Sequence, residues 1–168
     1  MYSQSFKAEV DKGCQILILG SMPGIKSLDE QQYYAHPRNA FWPIMQSLFS
    51  IDLNAIYEQR LQQMKSRGLG LWDVYAECER PGSLDSSINV QSIRFNPIVE
   101  LLTDYPSIHT LACNGGAAHK AVLKYLKQQV FDISNIQILA LPSTSPAYAA
   151  MRFEQKLERW QLLKDTVK

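Results

Sequence analysis

Three short polar segments follow aliphatic runs in this chain, and their residue types are those that hold and orient a small polar ligand. They are GSMPG (Gly20 to Gly24), CNGG (Cys113 to Gly116) and LPSTSPAYA (Leu141 to Ala149). Gly20, Ser21 and Met22 make a tight turn in which backbone groups can approach a ligand. Asn114 brings an amide that donates and accepts at once, and Ser143 and Ser145 bring hydroxyls. A fourth string, YYAHPRNAFW (Tyr33 to Trp42), places His36, Arg38, Asn39, Phe41 and Trp42 together. Taken singly, each has a structural reading beside a functional one. Asn39 is a helix cap or a polar contact; Phe41 and Trp42 are core residues or an aromatic platform. His36 is a donor or a hydrogen-bonded structural side chain, and the serine–proline loop is a turn or an anion contact.

The elements that must position these residues follow from periodicity. QILIL (Gln15 to Leu19) reads as a buried strand ending at Gly20, with further strands at Leu69 to Val74, Ile108 to Cys113 and Ile136 to Leu141. Helical spacing joins Phe41, Trp42, Ile44, Met45, Leu48 and Phe49, with Asn39 as N-cap. Ile56, Leu61 and Met64 mark a second helix. Asn96-Pro97 reads as cap and first helical position before Ile98, Leu101, Leu102 and Tyr105. Ala117 to Gln129 is another helix, and Phe153, Leu157, Trp160, Leu163 and Val167 face inward from the last. ECERPGSLDSS is rich in turn formers. Strands alternating with helices, without hairpin signals, predict an α/β fold: a parallel sheet of about four strands with helices on both faces. Ligands of such sheets bind beyond the carboxyl ends of the strands, where the three polar segments converge.

Composition narrows the function. A chain of 168 residues fits one domain spanning residues 1–168. Surface scaling has it burying about 70% of its unfolded area, a core that needs neither disulfides nor a metal. With 17 cationic and 16 anionic residues, any nucleic-acid contact must concentrate positive charge locally. Cys14, Cys78 and Cys113 lack metal spacing and read as buried reduced thiols. HExxH and the phosphate-loop signature are absent, so no metal or cofactor is expected. No run is long and apolar enough for a membrane span or signal peptide, which makes the cytoplasm the expected location. His109 reads as a sheet-face residue. Lys156, Arg159, Lys164 and Lys168, sharing the last helix with Glu154, Glu158 and Asp165, read as a solvated helix face.

Together the strings resemble the uracil-DNA glycosylase superfamily. GSMPG followed by AHPRNAFW is similar to the first motif region of its mismatch-specific uracil/thymine branch, which carries GINPG and then HPxNRFW. LPSTSPA is similar to that family's loop after the last strand. GSMPG, YYAHPRNAFW, GLGLWDV (Gly68 to Val74) and RPGSLD (Arg80 to Asp85) resemble most closely the hypoxanthine-DNA glycosylase branch. The resemblance runs from about residue 15 to 150. It implies a three-layer α/β/α fold and a monofunctional enzyme that flips deaminated bases from DNA during base excision repair. Hypoxanthine in deoxyinosine is the first expected substrate and uracil the second. Arg80, Ser83 and Asp85 lie in a family-like segment without an assigned role.

One departure bears on mechanism. The mismatch-specific enzymes position water with the Asn of GINPG, and Met22 stands in its place. Met cannot hold a water, no carboxylate occurs in GSMPG, and the resemblance to the hypoxanthine branch implies Asn39 as the substitute. An amide suffices in principle. The sugar becomes cationic as the base leaves, so stabilising the departing base and placing the water do more than deprotonating it. The resemblance further implies that Gly20, Ser21, Met22 and His36 line the base pocket, Phe41 stacks on the base and Asn114 reads its edge. Ser143 and Ser145 would meet phosphates, and Pro146, Ala147 and Tyr148 would fill the gap in the stack. No lysine is placed as a Schiff-base nucleophile, so base release without strand cleavage by a monomer is expected. Two alternatives use the same pocket: a hydrolase or transferase of free nucleosides, and a lesion-binding module without catalysis.

Overall fold

The computed structural model describes Met1–Lys168. In chain order its elements are β1 (Tyr2–Gln4), β2 (Ile16–Gly20), α1 (Ile25–Glu30), α2 (Phe41–Phe49), α3 (Tyr57–Ser66) and β3 (Leu69–Asp73). There follow β4 (Tyr75–Glu79), β5 (Arg94–Phe95), α4 (Ile98–Asp104), β6 (Thr110–Asn114), α5 (Gly116–Lys127), β7 (Gln137–Leu141) and α6 (Phe153–Thr166). The aliphatic runs pair as a parallel sheet in the order β3-β2-β6-β7. The first crossover leads from β2 to β3 on one side and the later one returns to β6 on the other. The strand order therefore reverses between β2 and β6, the position where open α/β sheets bind ligands.

Alternation along the strands builds two cores. Ile16 and Ile18 of β2, with Leu69, Leu71 and Ala112, pack against Phe41, Ile44, Met45, Leu61 and Trp160 of α2, α3 and α6. Leu17 and Leu19, with Leu111 and Cys113, pack the other way against Ile98, Leu102, Val122 and Tyr125 of α4 and α5. Burying each large apolar side chain contributes roughly 1.5–3 kcal/mol. The result is the expected three-layer α/β/α arrangement. Cys14, Cys78 and Cys113 are buried and free. No helix is long and apolar enough to cross a membrane.

Three features differ from the sequence reading. A second sheet, β1-β4-β5, is antiparallel, and β4 takes residues 77–79 that read as the start of a turn-rich loop. There Glu77 and Glu79 flank a fully buried Cys78, an alternation that charge disguises. Asn96 does not cap α4. Its amide donates to the carbonyls of Asp73 (2.8 Å) and Tyr75 (3.3 Å), fastening the end of the parallel sheet to the second sheet. Lys156 is buried rather than solvated. Its ammonium reaches the Ser145 carbonyl at 3.3 Å and stands 5.4 Å from the centre of the Tyr148 ring.

Trp160 joins the core to the loop after β7. Its ring is fully buried and its Nε1–H donates to the Pro142 carbonyl at 2.9 Å. Replacing Trp160 by Phe keeps an aromatic core but orphans that carbonyl. Chemical denaturation should show a loss of about 1–3 kcal/mol with an unchanged m-value.

Candidate active site

A cleft of about 480 Å³ opens over the carboxyl ends of β2, β3 and β6. Gly20, Met22, His36, Asn39, Asn114, Ser143, Ser145, Pro146 and Ala147 all line it, so the predicted segments meet in one place. Three other predicted residues do not line it. Phe41 is fully buried beneath Tyr34, whose ring stacks on it at 3.9 Å between centroids and 24° between planes. The aromatic surface on the cleft is therefore Tyr34 rather than Phe41. Ser21 turns away, its hydroxyl donating to Asp85 at 2.6 Å. Tyr148 is partly exposed outside the cleft, beside Lys156.

Asn114 is held at both ends of its amide. The backbone N–H of Thr144 donates to Oδ1 at 3.0 Å, and Nδ2 donates to Thr144 Oγ1 at 2.9 Å. A backbone N–H can only donate, so the orientation is set: oxygen and nitrogen cannot exchange places. One N–H and one lone pair remain for a ligand. The loop that does this is itself anchored, since the Ala40 N–H at the start of α2 donates to the Thr144 carbonyl at 3.0 Å. Gly115 lets the chain turn between Asn114 and α5 at φ +99°, where a Cβ would meet Ser143 at 3.1 Å.

Asn39 does the capping work from just outside α2. Its Oδ1 accepts from the Phe41 N–H at 3.0 Å, while Ala40 occupies the cap position itself. The second lone pair of Oδ1 and the amide hydrogens stay available at the cleft. His36 Nδ1 accepts from the Arg38 N–H at 3.1 Å, so in the neutral ring the proton sits on Nε2 as a free donor. Lys26, the only lysine on the cleft, is ion-paired with Glu30 at 2.7 Å. That pairing keeps the ammonium protonated and raises its pKa.

The RPGSLD segment braces the GSMPG turn. Arg80 is fully buried, and its guanidinium donates to the carbonyls of Met22 and Ser83, both at 3.4 Å, and to that of Pro23. Asp85 lies 3.9 Å away, and the Ser83 hydroxyl accepts from the Ile25 N–H at 2.8 Å. The planar guanidinium presents its N–H donors in a fixed fork that serves several carbonyls at once. Burial raises the Asp85 carboxyl despite Ser21 and Arg80, which favour its charged form.

Sequence reasoning missed Asp73 and Tyr34. Asp73 ends β3, is 4% exposed, lines the cleft and has no partner for its buried Oδ2. Burial, and then repulsion from Asp85, push its pKa up to about 8 against the pull of Arg80. Tyr34 has left-handed backbone (φ 54–56° is shared by Gln31, Tyr34 and Ser50), and its buried hydroxyl lies beside the Asn114 amide, which favours its ionised form. Burial, then the neighbouring Asp73, hold that phenol well above its ordinary range. The available signal for Asp73 was positional: it stands at a strand's carboxyl end, as the three recognised segments do.

Comparison with known proteins agrees with this fold. The family model of the uracil DNA glycosylase superfamily matches residues 8–164. A hypoxanthine DNA glycosylase of Methanosarcina barkeri is 37% identical over 116 residues, covering 68% of this chain and 72% of that protein. A hypoxanthine DNA glycosylase of Methanosarcina acetivorans is 36% identical over 120 residues, covering 70% and 74%. The solution NMR structure of a Methanosarcina acetivorans protein, provisionally assigned as a uracil DNA glycosylase, superposes with a TM-score of 0.77. It is 30% identical, and the match covers 98% of this chain and 99% of that one.

The raised Asp73 pKa has a signed consequence for stability. Near pH 4 the carboxyl is protonated in the folded state and about half protonated in the unfolded chain. As pH rises toward 8 the unfolded chain loses this proton and the folded one keeps it, so stability falls. Asp73→Asn should melt close to wild type at pH 4 and several degrees higher at pH 8. A constant difference across that range would place the titration elsewhere.

Proposed function

The chain belongs to the uracil DNA glycosylase superfamily, and from that premise we propose that it hydrolyses the N-glycosidic bond of deaminated bases in DNA, with hypoxanthine as the main substrate. The observation that carries this reading is the locked amide of Asn114. Its free N–H and free lone pair match the O6 acceptor and N1–H donor of hypoxanthine, and equally O4 and N3–H of uracil. Adenine and cytosine present the reverse order, which an amide that cannot turn over rejects. Two relatives named hypoxanthine DNA glycosylase support the choice between these bases.

In this reading the deaminated base leaves the stack, at a cost of a few kcal/mol that is smallest for a mispaired base. It enters the cleft against Tyr34, with Asn114 on its edge. Ser143 and Ser145 meet the flanking phosphates and fix the register without reading sequence. Pro146 and Ala147 face the gap left in the duplex. Asn39 holds the attacking water through the oxygen lone pair that α2 leaves unused. The paired, protonated Lys26 is no nucleophile, so the product is an abasic site in an uncut strand.

The test is incubation with duplexes carrying inosine, uracil or xanthine, assayed for free base and for alkali-dependent strand cleavage, with free deoxyinosine run in parallel. Base release from the inosine duplex alone supports the proposal. Cleavage of the free nucleoside at a similar rate points to a nucleoside hydrolase, and tight lesion binding without release to a non-catalytic module. Asn39→Ala should slow release by a factor of hundreds or more and leave lesion binding within a few-fold.

Asn114→Asp keeps an acceptor for the Thr144 N–H but turns the base-facing donor into a carboxylate oxygen. Hypoxanthine and uracil excision should be lost together, by a hundredfold or more. Retention of both rates in that variant would remove Asn114 from base recognition.

A further inference from the structure

Gly20, Asp73 and Asn114 stand side by side at the same level of the sheet. Gly20 pairs in register with Asp73, and Leu19 pairs with Cys113, which sets Asn114 beside Gly20 on the other flank. Residues in register in a parallel sheet point to the same face, so the two polar side chains flank a position that has none. Their Cα atoms are about 10 Å apart, two strand spacings. The Asp73 carboxyl leans into the gap, since a Cβ on Gly20 would lie 2.6 Å from its Oδ1. Nothing in the protein accepts or donates to its buried Oδ2.

A buried carboxyl without partners is unfavourable for the fold, and its place on the cleft says what could satisfy it. The end of a 6-oxopurine carries three groups in a row: the N1–H donor, the O6 acceptor and the N7 acceptor. With O6 directed at the space above Gly20, Asn114 meets N1–H and O6, and Asp73 lies on the N7 side. Uracil has a C5–H at the corresponding place and offers no lone pair there.

We propose that Asp73 is the general acid of the reaction, protonating N7 of the departing 6-oxopurine, and that this makes the site purine-selective. The inference rests on the glycosylase reading above. The Asp73 O–H bond breaks and its proton bonds to N7. The C1′–N9 bond breaks with its electron pair left on N9, so the base departs as a neutral purine. The cationic C1′ takes the oxygen of the water at Asn39, and a proton from that water returns to the carboxylate directly or through solvent. The net reaction is hydrolysis, with the acid restored.

The groups facing the carboxyl favour a donor at neutral pH. The Tyr34 hydroxyl lies 3.5 Å from the same point above Gly20, and it stays protonated, as does the buried Tyr33. Asp85 opposes ionisation of Asp73 and Arg80 favours it; burial outweighs both and leaves a pKa of about 8. An acid with that value delivers a proton readily at neutral pH.

Single-turnover excision between pH 5.5 and 10 tests the proposal with deoxyinosine, 7-deazadeoxyinosine and deoxyuridine duplexes. In the 7-deaza base a C–H replaces N7. Wild type should lose hypoxanthine excision above about pH 8, and should release the 7-deaza base at least a hundredfold more slowly than hypoxanthine. Asp73→Asn should cost hypoxanthine excision a similar factor, flatten the alkaline limb, keep lesion binding within a few-fold, and add little loss on the 7-deaza base. Any uracil excision should survive the substitution within a few-fold. An equal loss on both purines, or an unchanged alkaline limb, overturns the role of Asp73. Should the variant fail to fold, equal wild-type rates on the two purines overturn it alone. No release from any duplex by wild type would defeat the glycosylase reading and this inference with it.

Discussion

At the carboxyl edge of the sheet Gly20 carries no side chain, and neighbouring side chains use the space it leaves. The Asp73 carboxyl and the Tyr34 hydroxyl both reach within a few ångströms of where a Cβ would stand. Because the strand order reverses at this point, the groups flanking Gly20 come from β3 on one side and β6 on the other. On one face of a single strand the two polar residues would stand about 7 Å apart; here they stand about 10 Å apart with no side chain between them. Distributing them over three strands, with the middle one bare, opens a slot whose walls are rigid because each is a strand end.

Rigidity also has to reach the loops, and here buried hydrogen bonds do the work. The Asn114–Thr144 pair holds the loop after β7 against β6, and the Ala40–Thr144 bond ties it to α2. Trp160 and Lys156 hold the same loop from beneath. The GSMPG turn depends on Arg80, which donates to three carbonyls of the surrounding backbone. Removing the partners of such a buried charge is more damaging than never having had it. The two loops are therefore fixed independently, one through α6 and one through the second sheet.

What could be read in advance follows from how locally each feature is encoded. Aliphatic strands such as Ile16–Gly20 announce themselves, because every residue in them is buried. Asn114 was legible because a polar residue at the end of such a strand stands out, and Asn39 because it belongs to the YYAHPRNAFW string that carries the family resemblance. Asp73 was not, since it closes a strand whose five residues are all buried and reads as that strand's polar end. Only the register with Gly20 reveals that it faces the cleft. Phe41 and Tyr34 exchange roles because the left-handed turn at Tyr34 folds one aromatic ring over the other, and tandem tyrosines carry no periodic signal for that. Lys156 is disguised by charged neighbours along α6, although it alone of them points inward.

The placement of cations bears on duplex binding. Of 17 lysines and arginines, Arg80 and Lys156 are buried in scaffolding roles, while Lys26 and Lys65 are paired with carboxylates. The net charge of the chain is only +1, and proteins are drawn to undamaged duplex chiefly by charge. For a protein acting on DNA, a charge so nearly balanced predicts a shallow dependence of duplex binding on salt.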